Sequence, residues 1–507
     1  VSRSSVLPLA LSLLAVSFLA RAAFFGQPVM EGDQQFYLLV GDRLLQGELP
    51  YVDIWDRKPI GLFLIYAAIR ALGGDGILQY QLVATLFVAA TAFLVARIAR
   101  ETASRRAALF AGATYILWLN VFGGEGGQSP VFYNLPVAAA ALLTLRAIAR
   151  PEAMLALGSA AMLAMGLAMQ IKYAAVFEGV YFGCALLWNG WRAKPGIARL
   201  LLHGCVWVAC ALLPTAAALG AYAAIGEAQA FIFANFLSVF LQNPSAGGSS
   251  LGRLAQLVAL LSPLLACAAL AMSQPVPGRE GTQGFISGWA IASVAGVLLF
   301  GGFYSHYALP VLVPLAITAA PLLDRRLPVP RAPRMPVMLA LSIFAVIASA
   351  TLTIRHVRAR GAGAEVRLLA SAVSLEPGEA IYVFDGEPIF YLLTASPLPT
   401  RYPFPTHLND MREYGAIGVD QLAEIGRILT SRPAYVVTSS APRARNNPEA
   451  WAMVSEALRT DYRLLREVRV GNRSRLLYQR AGDNLRSSAP NLSAATSGAQ
   501  GRQASPP

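Results

Sequence analysis

Between Glu31 and Gly61 the chain reads EGDQQFYLLVGDRLLQGELPYVDIWDRKPIG, with Glu31, Asp33, Asp42, Glu48, Asp53 and Asp56 beside Arg43, Arg57 and Lys58. Asp33 opens an apolar-periodic stretch, where a carboxylate can cap a helix, a role worth about 1 kcal/mol. The same carboxylate, at a membrane surface, can take a hydroxyl proton as a general base. Arg57 and Lys58, directly before Pro59, form a natural anion site, although such side chains also snorkel toward lipid headgroups. Lysine occurs only at Lys58, Lys172 and Lys194. Lys58 and Lys172 brought to one face would suit a phosphate, each as a point charge. Asp53 and Asp56 can pair with Arg57 and Arg43, or act on an acceptor or a metal ion. Tyr304, His306 and Tyr307, in the string FYSHY, read as interfacial anchors or as side chains lining a substrate.

Apolar residues make up 56% of the chain and charged residues 14%. Runs of about 17–25 apolar residues recur, the length that crosses a bilayer as a helix. Helices they must be, because lipid leaves every backbone polar group to be satisfied within the segment. The spans fall near 6–24, 77–98, 107–122, 131–148, 153–170, 174–190, 200–222, 251–272, 285–303, 306–323 and 335–354, about eleven in all. Ala20-Arg21-Ala22 has the look of a signal-peptidase site, but with so many later spans a retained first helix is expected. The net charge of +13 raises nucleic acid as a partner. Its placement, in short turns and the C-terminal region without a continuous basic stripe, points to the bilayer instead. Cys184, Cys205, Cys210 and Cys267 fall inside apolar runs and show neither metal-ligand spacing nor a disulfide framework.

With the N-terminus inside, alternate turns collect Arg3, Arg97, Arg100, Arg105, Arg106, Arg146, Arg150, Arg192, Lys194, Arg199, Arg279, Arg325, Arg326, Arg331 and Arg334. The opposite turns, 123–130, 225–250 and 301–305, contain no Lys or Arg. The positive-inside rule therefore sends the 25–76 loop and everything after the last span outward. Within that loop, residues 34–46 predict a short amphipathic helix lying along the membrane surface, capped by Asp33 and ended by Gly47, with Gln35, Asp42 and Gln46 on its polar face. Residues 60–72 predict a second interfacial helix. GGEGGQSP at 123–130 predicts a flexible loop carrying Glu125, and the stretch before Ser250 a mobile flap. Beyond residue 355 the pattern changes: strands at 379–384, 434–438 and 475–479 and a helix at 419–430 predict a small α/β domain over 355–481. The Ser/Ala/Gly/Pro-rich tail, 482–507, predicts disorder.

The spacing of Asp33, GELPY at 47–51 and DIWDRKP at 53–59 resembles the first loop of GT-C membrane glycosyltransferases. The likeness is to the dolichyl-phosphate-mannose protein mannosyltransferase superfamily, including bacterial relatives that modify lipid A or lipopolysaccharide core. GLAMQIKY at 166–173 and FYSHYALPVLVPLAI at 303–317 are similar to later stretches of the same proteins. The resemblance covers residues 1–354 well and the C-terminal domain loosely. It implies a polytopic α-helical GT-C-like protein of the bacterial inner membrane with a periplasmic C-terminal α/β domain. It also implies sugar transfer from a polyprenyl-phosphate donor to a hydroxyl acceptor on lipid, glycan or protein. Asp33 takes the place of the family's catalytic acid and Lys58 that of its phosphate-contacting lysine. Many members have Asp-Glu where this chain has Asp33-Gln34, so a secondary acidic role is vacant or falls to Glu31, Asp53 or Asp56. No cofactor is certain; a divalent metal on the clustered carboxylates stays open.

The chemistry fits these residues. A polyprenyl phosphate leaves readily, so the enzyme needs a base on the acceptor and positive charge where phosphate charge builds up. Asp33 supplies the first, Lys58 and Arg57 with Lys172 the second. A single base predicts inversion at the anomeric carbon. No phosphate-cradling glycine loop opens a helix, which argues against a nucleotide-sugar donor. The competing reading, a lipid or sugar transporter, predicts ionisable groups deep in mid-span and paired discontinuous helices; a scaffold presenting the C-terminal domain is a third.

Overall fold

The computed structural model describes residues 6–193, 196–243, 250–323, 325–327, 335–361, 363–471 and 473–482. Arg3, Lys194, Arg331, Arg334, most of the expected flap and the tail beyond 482 lie outside the described residues. α1 (Val6–Arg21) leads to α2 (Gly32–Leu45) and α3 (Ile60–Arg70). Then come α4 (Ile77–Ala99), α5 (Arg105–Leu119), α6 (Ser129–Ala149), α7 (Met154–Met169), α8 (Val176–Arg192) and α9 (Ile197–Ala224). A short α10 (Ala228–Ile232) precedes α11 (Ser250–Met272), α12 (Glu280–Phe300) and α13 (Leu312–Ala319). A two-strand ribbon, β1 (Arg326–Leu327) antiparallel to β2 (Met335–Pro336), leads to α14 (Val337–Arg360).

Among the described residues eight helices, α1, α4, α6, α7, α9, α11, α12 and α14, are with their adjoining turns long and apolar enough to cross a membrane. α5, α8 and α13 stand where further spans are expected and are shorter. Pro310 and Pro321 bracket α13, and proline cannot donate to a helix ladder. The bundle has an inside and a rim. In α4, 56% of the apolar window is buried, in α9 only 11%. Leu201, Leu202, Val208, Leu212 and Leu213 of α9 accordingly stay exposed, as lipid-facing side chains do.

α2 ends in a Schellman turn: Glu48 N–H donates to Arg43 O and Gly47 N–H to Leu44 O, with Gly47 at φ +92°. Its start differs from expectation. The helix begins at Gly32 and Glu31 is the N-cap residue, so Asp33 lies inside the first turn and caps nothing. Its expected polar face is free only in part: Gln46 is exposed and Asp42 half-buried, but Gln35 is buried and accepts from Ile389 N–H of the C-terminal domain.

That domain holds α15 (Ala364–Ala370), β3 (Ile381–Val383), α16 (Ile389–Leu393), α17 (Pro405–Asn409), α18 (Gln421–Thr430), β4 (Tyr435–Ser439), α19 (Pro448–Asp461), β5 (Tyr462–Val470) and β6 (Arg473–Arg480). The sheet order is β3-β4-β6-β5, with β3 and β4 parallel and the other pairs antiparallel. β5 is the strand the sequence hid. YRLLREVRV carries a bulge between Leu464 and Arg466 and lies at the sheet edge with most side chains exposed, so no clean alternation marks it. The domain docks on the first loop: Phe36 stacks on Phe404 at 4.9 Å between ring centroids, and Trp55 N–H donates to Arg401 O at 2.7 Å.

Candidate active site

Three distant stretches meet at Asp33. The first turn of α2 supplies the carboxylate, and the link before α3 supplies Lys58. The turn after α7 supplies Lys172, whose backbone is extended (φ −158°, ψ 125°), so α7 stops there. The turn before α13, Ser305–Ala308, adds His306 and Tyr307. Asp33, Lys58, Lys172 and His306 are each half-buried, deep in the protein yet touching open space.

Burial alone would raise the Asp33 carboxyl. Lys58 above all, with Lys172, outweighs it and holds the group below the usual aspartate range. Asp33 is therefore ionised at neutral pH. Burial would lower the Lys58 ammonium, but Asp56 and Asp33 outweigh it and keep the group charged. Asp56 is raised by its own burial, offset in part by Lys58 at 3.9 Å and by the Arg57 N–H at 2.6 Å. Lys172 is different: burial, then repulsion from Lys58, brings it down to about 7. Burial, then the Lys172 charge, takes His306 to about 3, so its imidazole is neutral.

The loop that carries Lys58 is braced. Tyr51, at φ +71°, donates its hydroxyl to Lys58 O at 2.7 Å, and its ring packs on Tyr222 and Phe231. Tyr222 in turn donates to Pro50 O at 3.0 Å. Tyr37, one turn after Asp33, places its ring 5.6 Å from Lys58 Nζ; its buried hydroxyl lies beside Asp33 and meets no partner within hydrogen-bond geometry among the described residues.

The other expected residues are placed elsewhere or otherwise occupied. Arg57 donates to Glu413 at 2.5 Å, to Ser238 Oγ at 2.9 Å and to Ala416 O at 3.1 Å, and stacks over Trp55. It ties the first loop to the C-terminal domain. Glu31 lies 3.9 Å from His356 Nδ1, and Asp53 is exposed and accepts from Leu49 N–H at 2.8 Å, closing its own turn. Asp56 alone of the three secondary acids joins Lys58. Gln34 accepts from Gly127 N–H at 2.9 Å and so anchors the 123–130 loop. Arg21 holds the same loop, donating to Gly126 O at 2.7 Å and to Gly124 O. Among the described residues no group of three or more His, Cys, Asp or Glu side chains could hold a metal ion.

Tyr304 receives a hydrogen bond from Arg412 at 2.9 Å and lies under the Arg253 guanidinium at 4.8 Å. Glu413 bridges Arg57 and Gln242, the latter at 2.6 Å. Sequence reading missed Arg412, Glu413 and Gln242. Nothing in a linear pattern connects residues 170 or more positions apart. Tyr37 was within reach, since i and i+4 share a helix face.

No protein-family model and no curated protein matches the sequence. The structure is similar to that of ArnT from Cupriavidus metallidurans bound to undecaprenyl phosphate, with TM-score 0.62 at 16% identity over 94% of this chain and 98% of that one. It is similar also to the Archaeoglobus fulgidus oligosaccharyltransferase in its apo form (TM-score 0.51, 11% identity, 86% of this chain and 70% of that one). A third likeness is to the arabinofuranosyltransferase AftD from Mycobacteria (TM-score 0.51, 15% identity, 96% of this chain and 40% of that one). At these identities the likeness is one of fold. The chain is a polytopic helical membrane protein with the GT-C fold, the fold of these membrane glycosyltransferases.

Proposed function

We propose that the protein is a glycosyltransferase that moves a sugar from a polyprenyl phosphate to an acceptor hydroxyl, at the periplasmic face of a bacterial inner membrane. The observation that carries the reading is the convergence of Lys58 and Lys172 on the ionised Asp33. The lipid phosphate fits the two lysines, and the acceptor approaches Asp33. Its oxygen bonds to the anomeric carbon as the carbon–oxygen bond to phosphate breaks. The electron pair leaves on the phosphate, and the hydroxyl proton passes to Asp33. Charge appearing on the phosphate meets fixed cations, which is where stabilisation lowers the barrier. Attack opposite the leaving group inverts the anomeric centre. The fold supports the reading: the ArnT structure to which the chain is similar is bound to a lipid phosphate of this kind, undecaprenyl phosphate.

The test is Asp33→Asn in a deletion strain, with envelope lipids and glycans analysed by mass spectrometry. Wild type restores one missing sugar; Asp33→Asn fails to do so while the protein folds and still binds neryl phosphate. Restoration by Asp33→Asn would end the reading, and a product of retained anomeric configuration by NMR would end the single-base scheme.

A further inference from the structure

Where the C-terminal domain meets the first loop it carries an open cavity of about 380 Å³, lined by Arg401, Tyr402, Gly418, Val419, Glu424 and Arg427. The volume lies within the roughly 300–1,000 Å³ of sites that take small molecules. Tyr402 is buried, with its ring 5.5 Å from the Arg401 guanidinium carbon and 5.9 Å from the Trp55 ring. One turn of α18 presents Glu424 and Arg427 together. Arg427 Nε donates to Glu424 Oε2 at 2.8 Å, and the Thr400 hydroxyl donates to Glu424 Oε1 at 2.5 Å, so the carboxylate is fixed in place. Arg401 gives its other N–H groups to the Tyr402 hydroxyl and Val52 O, and Arg427 gives one more to Pro399 O. Arg401 Nη2 and Arg427 Nη1 donate to no group among the described residues, so each guanidinium keeps an edge for a ligand. Two guanidiniums against one carboxylate leave the rim positive.

Hydrogen bonds tie this cavity to the loop that ends in Lys58. Arg401 O accepts from Trp55 N–H at 2.7 Å, and Arg401 Nη1 donates to Val52 O at 3.2 Å. On another side Gly418 packs on Phe233, whose ring would stand 2.8 Å from a methyl group placed there. Phe233 directly follows α10, so the cavity sits at the seam between the C-terminal domain and the helical part. We propose that the cavity is a docking site for an acidic saccharide, a part of the acceptor remote from the hydroxyl that is glycosylated. Arg401 and Arg427 pair with its carboxylate or phosphate, and Glu424 accepts from a ring hydroxyl. Planar guanidiniums meet such anions edge to edge, which lysine cannot do. A carboxylate oxygen that already holds one donor still has a lone pair for a sugar hydroxyl. The proposal rests on the glycosyltransferase reading above and adds to it where the acceptor is gripped and by what charge.

The experiment uses the full chain in nanodiscs and measures dissociation constants by calorimetry for two matched pairs, digalacturonate with galactobiose and maltose 1-phosphate with maltose. At least one acidic member should bind about tenfold tighter than its neutral counterpart, and the pair that responds tells carboxylate from phosphate. Arg401→Gln removes one cation, and Val419→Trp fills the cavity from a half-exposed position. Each should erase the preference and leave neryl phosphate affinity unchanged. In the deletion strain each should restore the missing sugar more weakly than wild type. The proposal is overturned if neither acidic saccharide is preferred, or if the preference survives both variants. It is overturned also if triglutamate or inorganic phosphate binds as tightly, which would make the cavity a site for any anion, or if transfer is undiminished once saccharide binding is lost. Lys58→Ala reports separately on the parent reading: neryl phosphate binding that survives it removes the donor-phosphate site whatever the saccharides do.

Discussion

Lys172 holds its ammonium nitrogen 4.5 Å from the centre of the Tyr307 ring, where the turn after α7 meets the turn before α13. The ring steadies the cation from one side, while burial and Lys58 oppose its charge and bring it down to about 7. A dianionic or monoanionic phosphate arriving between the two lysines reverses that balance.

The sign follows directly. Below pH 7 Lys172 is already protonated; above it, the group is neutral when free and must take up a proton as phosphate binds. Affinity for neryl phosphate is therefore greatest below pH 7 and falls as pH rises, by up to about tenfold per unit. Lys172→Met should flatten the pH dependence measured from 6 to 9. A wild-type affinity independent of pH would remove Lys172 from the phosphate site.

Glu413 joins Arg57 of the first loop to Gln242 ahead of α11. Glu413→Ala leaves the part-buried Arg57 without its carboxylate partner, a loss in the range of about 3–5 kcal/mol for a well-buried pair and less here, where both side chains keep some exposure. We expect faster proteolysis near Ser238 and Gln242 and weaker transfer with near-normal neryl phosphate binding. Unchanged proteolysis and activity would show the bridge to be idle.

A methyl group on Gly41 would stand 2.6 Å from Tyr66 C and 2.7 Å from Ala67 N, both backbone atoms of α3. Backbone cannot swing aside as a side-chain tip can. Gly41→Ala should push α2 from α3 and destabilise the protein by about 1–3 kcal/mol, read as a lowered melting temperature in detergent. An unaltered melting temperature would mean that the helix pair yields without cost.

In the C-terminal sheet Arg475 faces Glu387, with Nη2 at 2.6 Å from Oε1, and both side chains are buried. Arg475→Met should cost about 3–5 kcal/mol, because Glu387 is left charged and unpaired. Adding Glu387→Leu should recover most of the loss, measured by chemical unfolding of the full chain. Equal loss in the single and double variants would place the effect in packing.

The helical class, the positions of most spans and the presence of a small C-terminal α/β unit were legible because lipid demands long apolar helices and because strands and helices repeat with different periods. β5 escaped because an edge strand with a bulge alternates poorly. The sequence also brought out Asp33, Lys58 and Lys172 as chemically capable groups, since ionisable residues are few in so apolar a chain. It could not tell which carboxylates attend them. Asp56 turns in beside Lys58, Asp53 closes an exposed turn, and Arg57, adjacent to Lys58 in sequence, points to Glu413. Neighbouring side chains diverge when the backbone between helices is irregular. Only tertiary packing then settles direction, because the partners come from segments that residue order leaves far apart.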